Sequence, residues 1–189
     1  MSPLNAATHL EASMKNFALT ALLGVASCAA PSNCCEAPPA LAGQRVGTFD
    51  SRALAMAYYR SPQFRAHTQA LFEELAEAKA AGNALRVTEL EEHGPALQAM
   101  IHKQGFGTWP VDNILELIAD DLPAIAEEAG VDVIVSQWQV VHQVSGLELI
   151  DVTGALVEPF APDAQTLDII ESLRGQEPVP LEELENHQG

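Results

Sequence analysis

The side chains able to do chemistry are few and scattered. Six histidines, His9, His67, His93, His102, His142 and His187, form no HxxxH or HExxH pattern, and the helical ones share no turn. A metal site lacks the ligand spacing it needs. The tandem acids Glu73-Glu74, Glu91-Glu92 and Asp120-Asp121 point about 100° apart on a helix, so none is an acid–base pair as it stands. No GxSxG, phosphate-binding glycine loop or cofactor fingerprint is present. We therefore expect a protein that is not an enzyme, with no catalytic residue, metal or cofactor.

The cysteines carry a different chemistry. Met14-Lys15 opens a basic start, residues 17–26 form an apolar run, and Ser27-Cys28 closes it. That is the layout of a secretory signal segment, whose apolar stretch is about 7–15 residues. It falls short of the roughly 20 residues that span a bilayer. Met14 is an alternative initiator, because residues 1–13 hold no apolar run and include Glu11. Val25-Ala26-Ser27-Cys28 resembles a bacterial lipobox, and Cys28 is the expected site of lipid attachment. Ordinary cleavage nearby is the competing reading. Three cysteines are an odd number for an exported chain. With Cys28 lipidated, Cys34 and Cys35 are left to a strained vicinal bridge, to pairing with another chain, or to remain free.

Charge narrows the partners. Nine Lys and Arg stand against 26 Asp and Glu, a net charge of −17. Nucleic acid, whose binding is dominated by cationic contacts to phosphate, is excluded as a partner. Anionic membrane surfaces repel such a chain, so contact with a membrane is expected through the lipid alone. Residues 29–44 are rich in Ala and Pro and read as a flexible tether. Their reach is about 20–24 Å.

These features are organised around residues 61–104, which read as two antiparallel helices reversing at Gly82-Asn83. Phe64, Thr68, Leu71, Leu75 and Ala78, then Val87, Leu90, Gly94, Leu97 and Ile101, repeat with a 3.5-residue period. That spacing keeps one seam toward a partner helix. Ser61 caps the first arm with Pro62 at its first position, and Gly94-Pro95 predicts a kink in the second. Before the arms, residues 45–50 read as a strand, and Asp50 or Ser51 caps a short helix. After them, residues 111–129 read as a helix with Ile114, Ile118, Leu122, Ile125 and Ala129 on one face. A kink or restart is expected at Asp120-Asp121, and a stop at Gly130. Residues 131–135 and 139–144 read as strands, Asp151 as the cap of a short helix, and Pro162-Asp163 as the start of a last one. Residues 176–189 read as a mobile acidic tail.

The sequence His102-Lys103-Gln104-Gly105-Phe106-Gly107-Thr108-Trp109 places two aromatics among glycines. One use is a partner-binding loop made by Phe106 and Trp109. The use we expect is structural, with both rings plugging the base of the arms, because aromatics dominate core energetics.

The order of elements resembles the Skp/OmpH family of periplasmic chaperones. VGTFDSRALA at 46–55 looks like the family's opening strand and helix. LPAIAEEAGVDVIVSQWQVVHQ at 122–143 and LELIDVTGALV at 147–157 look like its closing elements. The resemblance implies an α+β fold: a small β-sheet with a projecting antiparallel helical hairpin, assembled as a homotrimer whose arms surround unfolded membrane proteins. The arms here are short, spanning about 30 Å at 1.5 Å per residue. The chain is also acidic where the family is commonly basic, and residues after 160 have no counterpart. The expectation is a signal segment at 1–28, a tether at 29–44, one α+β domain at 45–175 and a tail at 176–189. The expected function is that of an extracytoplasmic, lipid-anchored protein, chaperone-like (a holdase) or scaffolding, binding other envelope proteins, unfolded ones included. The alternative is a structural envelope lipoprotein or binding module without chaperone activity.

Overall fold

A computed structural model describes residues 44–186. The expected signal segment, Cys28, Cys34, Cys35 and the expected tether through residue 43 lie outside the described residues. The fold is mixed helix and sheet. Three strands, β1 (Val46–Phe49), β2 (Val133–Ser136) and β3 (Leu149–Asp151), form one sheet in the order β2-β1-β3. Both pairings are parallel, with Val46 opposite Val133 and Leu149. Parallel neighbours require long crossovers. The one from β1 to β2 holds α1 (Ser51–Tyr59), α2 (Pro62–Ala80), α3 (Ala84–Phe106), α4 (Asp112–Leu115) and α5 (Leu122–Ala129). After β3 come α6 (Thr153–Val157), α7 (Ala164–Leu173) and α8 (Leu181–Asn186).

Local chemistry sets most boundaries. Asp50 caps α1 by accepting from the Arg52 N–H, Ser61 caps α2 ahead of Pro62, and Asp163 caps α7. Gly130 ends α5 at φ 62°, in the left-handed region that glycine enters at no steric cost. The α4–α5 stretch restarts rather than running through, with a 3₁₀ turn at Glu116–Ile118 and a break at residues 119–121 before α5 begins at Leu122. Pro95 lies inside α3, which continues through it.

The core forms where alanine-rich α1 lies between the sheet and the later helices. Phe49, Leu54, Ile114, Leu156, Phe160 and Ile170 are buried there, and small residues Ala53, Ala55 and Ala57 let neighbours approach. Gly47 in the central strand serves the same end. A Cβ on it would lie 3.1 Å from a Val131 methyl and 3.3 Å from one of Val152.

Two expectations are corrected. Residues 139–144 are not a strand: a 3₁₀ turn at Gln137–Gln139 leads into irregular chain, and Val141 is 98% exposed. The β-branched residues there have strand propensity, but propensity supplies no partner. The second edge of β1 is occupied by β3 instead. The segment expected as a mobile acidic tail carries α8, laid on α3. The Val179 N–H donates to Phe106 O at 2.9 Å, Lys103 pairs with Glu185 at 2.7 Å, and Leu184 is buried. Its leucines, Leu181 and Leu184, stand about one turn apart and give the short helix an apolar side.

Where α1 hands over to α2, Tyr58, Tyr59, Phe64 and Phe160 pack edge to face or tilted, with ring centres 4.9–5.6 Å apart. Burial pushes the Tyr59 hydroxyl up to about 12, with Tyr58 acting in the same direction, and burial raises Tyr58 as well. Because the folded value lies above the unfolded one of about 10, this contribution to stability is complete below about pH 10. It is lost as pH rises toward 12. Ultraviolet titration of the native protein is expected to show both tyrosines ionising above 10, Tyr59 last, and both returning to about 10 in denaturant.

Candidate functional site

A cleft of about 460 Å³ opens at the carboxyl ends of the three strands. Asp50 and Arg52 follow β1, Gln137 and Trp138 follow β2, and Asp151 and Thr153 follow or end β3; Arg174 and Glu177 come from the end of α7 and beyond. In parallel sheets this edge is where ligands gather. Asp50 and Arg52 are buried at 8% and 2% exposure. Asp50 Oδ1 accepts from the Arg52 backbone N–H at 2.9 Å, from Arg52 Nε at 3.1 Å and from Trp138 Nε1 at 3.2 Å. Its Oδ2 accepts from Arg52 Nη2 at 2.7 Å. Oδ1 thus takes three of the four bonds and Oδ2 one, and all the donors belong to the protein. The guanidinium also lies 4.7 Å from the Trp138 ring centre and donates to Leu173 O. The group is a brace joining the end of β1 to the turn after β2 and the end of α7.

The aromatic loop differs from expectation. Phe106 and Trp109 are 44% and 41% exposed, so neither plugs the base of the arms. Phe106 ends α3 and meets the edge of His102, while Lys103 Nζ sits 4.9 Å from the Trp109 ring centre. The plug is Gln104, 1% exposed. Tyr59 donates its hydroxyl to Gln104 Oε1, and Gln104 Nε2 donates to Pro110 O at 2.6 Å and Asn113 Oδ1 at 2.7 Å. A smaller cavity of about 230 Å³ lies beside Trp109, Thr108 and Ser136.

The described histidines have separate surroundings. His67 faces Phe64, His93 lines the α2–α3 groove and His142 sits in exposed irregular chain. Among the described residues no three His, Cys, Asp or Glu side chains are grouped to hold a metal ion.

The second candidate surface is the α2–α3 pair. Gly82 (φ 67°) turns the chain, and Asn83 caps α3 by accepting from the Arg86 N–H. Arg86–Glu74 (2.7 Å) and Lys79–Glu91 (2.9 Å) join the two helices, both pairs half-exposed and of small energetic weight. Ala78 and Leu90 are buried between them. Further along, Leu71, Phe72, Leu75, Gly94 and Leu97 line a groove of about 100 Å³ whose walls are almost wholly apolar. A Cβ on Gly94 would meet nothing within 4 Å. Phe72 at the groove and Leu85 near the turn are 72% and 73% exposed. Neither the Asp50–Arg52–Trp138 brace nor the Gln104 plug was anticipated. The one local hint was an aspartate directly after a strand, read only as a helix cap.

No family model matches the chain, and neither a curated protein nor a solved structure is significantly similar to it.

Proposed function

We propose that this protein is exported and lipid-anchored through Cys28, and binds other envelope proteins by way of α2–α3, acting as a projecting antiparallel hairpin. Its role is chaperone-like or scaffolding, as the resemblance to the Skp/OmpH chaperones implies, and it works by binding rather than catalysis. The observation that carries this reading is the apolar groove on the helix pair, with Phe72 exposed at it and Leu85 exposed near the turn. Large apolar side chains left in water beside an apolar groove mark an interaction site, and helix grooves of this kind take apolar anchors. A homotrimer built through the sheet accords with the outer edges of β2 and β3, which pair with no strand among the described residues and where Val133 is 46% exposed.

The test is dilution of an urea-unfolded β-barrel membrane protein into the purified full chain. Suppressed light scattering is the expected result, and Phe72→Ser with Leu85→Ser is expected to remove it. No suppression by the unaltered protein, with intact crosslinking to folded envelope proteins, would leave the scaffolding alternative, which the acidic charge and short arms favour. The same sample in static light scattering reads assembly: a monomer at every protein and salt concentration would remove the trimer.

Localisation has its own measurement. Mass spectrometry of the protein from a lipoprotein-processing host is expected to find acyl chains on an N-terminal Cys28. An unmodified chain beginning after Cys28 would overturn the anchor.

A further inference from the structure

We infer that the cleft at the carboxyl ends of the strands is a binding site for a neutral polyhydroxylated ligand, a mono- or disaccharide. The site is separate from the helix pair and independent of the function proposed for it. Its volume of about 460 Å³ falls in the range of small-molecule pockets, about 300–1,000 Å³. Its position follows from topology: β1 is central, β2 and β3 flank it, and the chain after all three strands contributes to one crevice.

The wall is fixed before any ligand arrives. Arg52 and Asp50 are held by each other, by Trp138 and by Leu173 O, so the indole is held by its N–H and by the cation against its ring. A buried ion pair is seldom the most stable filling for its space. Its presence at a cleft accords with a preorganised wall rather than a stability device.

The groups left to meet a ligand are planar and of both kinds. The Gln137 amide makes no hydrogen bond among the described residues, and neither does Glu177. Thr153 Oγ1 accepts from the Asp50 N–H and keeps its own proton to donate. Arg174 at the rim is half-exposed and lies 3.6 Å from Asp151; its Nε pairs with Glu171 at 3.0 Å, which leaves its remaining N–H groups to a ligand. Two acids against one cation, beyond the internally paired Asp50–Arg52, disfavour an anionic ligand. Carboxylate, amide and guanidinium beside an indole suit vicinal hydroxyls, which donate and accept in pairs over an apolar ring face.

The chain has two tryptophans, Trp109 and Trp138, so full-length Trp109→Phe carries a single reporter in the cleft. Its fluorescence is followed while glucose, N-acetylglucosamine, maltose or chitobiose is added to tens of millimolar. Glycine and inorganic phosphate serve as charged comparison probes. A saturable change with at least one saccharide is expected, weakened about threefold to tenfold by Gln137→Ala and by Arg174→Ala. Both are exposed positions whose replacement leaves the core untouched. Response to glycine or phosphate alone overturns the ligand class. No response to any probe, or a saccharide response that both variants leave unchanged, overturns the site. Neither result touches the helix-pair reading, which is scored by client aggregation.

Discussion

Replacing Asp50 by alanine is expected to destabilise the folded protein by about 3–5 kcal/mol, the largest loss we anticipate from one substitution. The reason lies in what remains. The Arg52 side chain is 3% exposed, and its Nε and Nη2 both donate to Asp50. Without the carboxylate, a buried guanidinium keeps only Leu173 O at 3.3 Å and the Trp138 ring. A stranded cation costs far more than an exposed pair contributes. The α1 cap is lost as well, worth about 1 kcal/mol by itself.

This expectation has a signature that a plain packing defect lacks. Arg52→Met combined with Asp50→Ala is expected to cost less than Asp50→Ala alone, because no charge is then left buried. Urea unfolding of the three proteins at neutral pH measures it. A double variant as unstable as the single one, or more so, would mean that Arg52 reaches water when released, and the brace would be an ordinary surface pair. Trp138 gives a second readout, since its indole N–H loses its acceptor in both variants.

What could be read from the sequence is what short-range chemistry decides. Asp50, Ser61 and Asp163 announce helix starts because a side-chain oxygen reaches a backbone N–H two or three residues on. Gly130 announces a stop because only a positive φ serves there. The face of Ile114, Ile118, Leu122, Ile125 and Ala129 was legible by period, and all five belong to or pack on the core. What could not be read depends on partners distant in the chain. Residues 139–144 have the composition of a strand, yet β1 offers two edges, and β2 and β3 take them. Phe106 and Trp109 were assigned the buried role on size. Glutamine 104 holds it, because three partners from α1, the loop and α4 converge on one amide. The brace spans residues 50, 52, 138 and 173, a closure that no local pattern encodes.

That amide carries the last prediction. Gln104→Leu keeps the bulk and removes every hydrogen bond, so the Pro110 carbonyl, the Asn113 side chain and the Tyr59 hydroxyl lose their partner together. At about 1 kcal/mol for each bond, and more where a group is left unsatisfied, the expected loss is about 3 kcal/mol. Gln104→Glu separates hydrogen bonding from shape. Pro110 O can only accept, so the side-chain atom facing it must donate. A glutamate can do so only when protonated, and burial at 1% exposure favours the same neutral form. Its folded pKa is therefore raised above the unfolded value of about 4.3. The variant's stability is then retained below about pH 4.3 and falls as pH rises through the folded value. Urea midpoints for Gln104→Glu, measured against the parent at each pH, are expected to lie closer to the parent at pH ~5 than at pH ~8. A deficit that does not change across that range would mean the amide contributes packing alone.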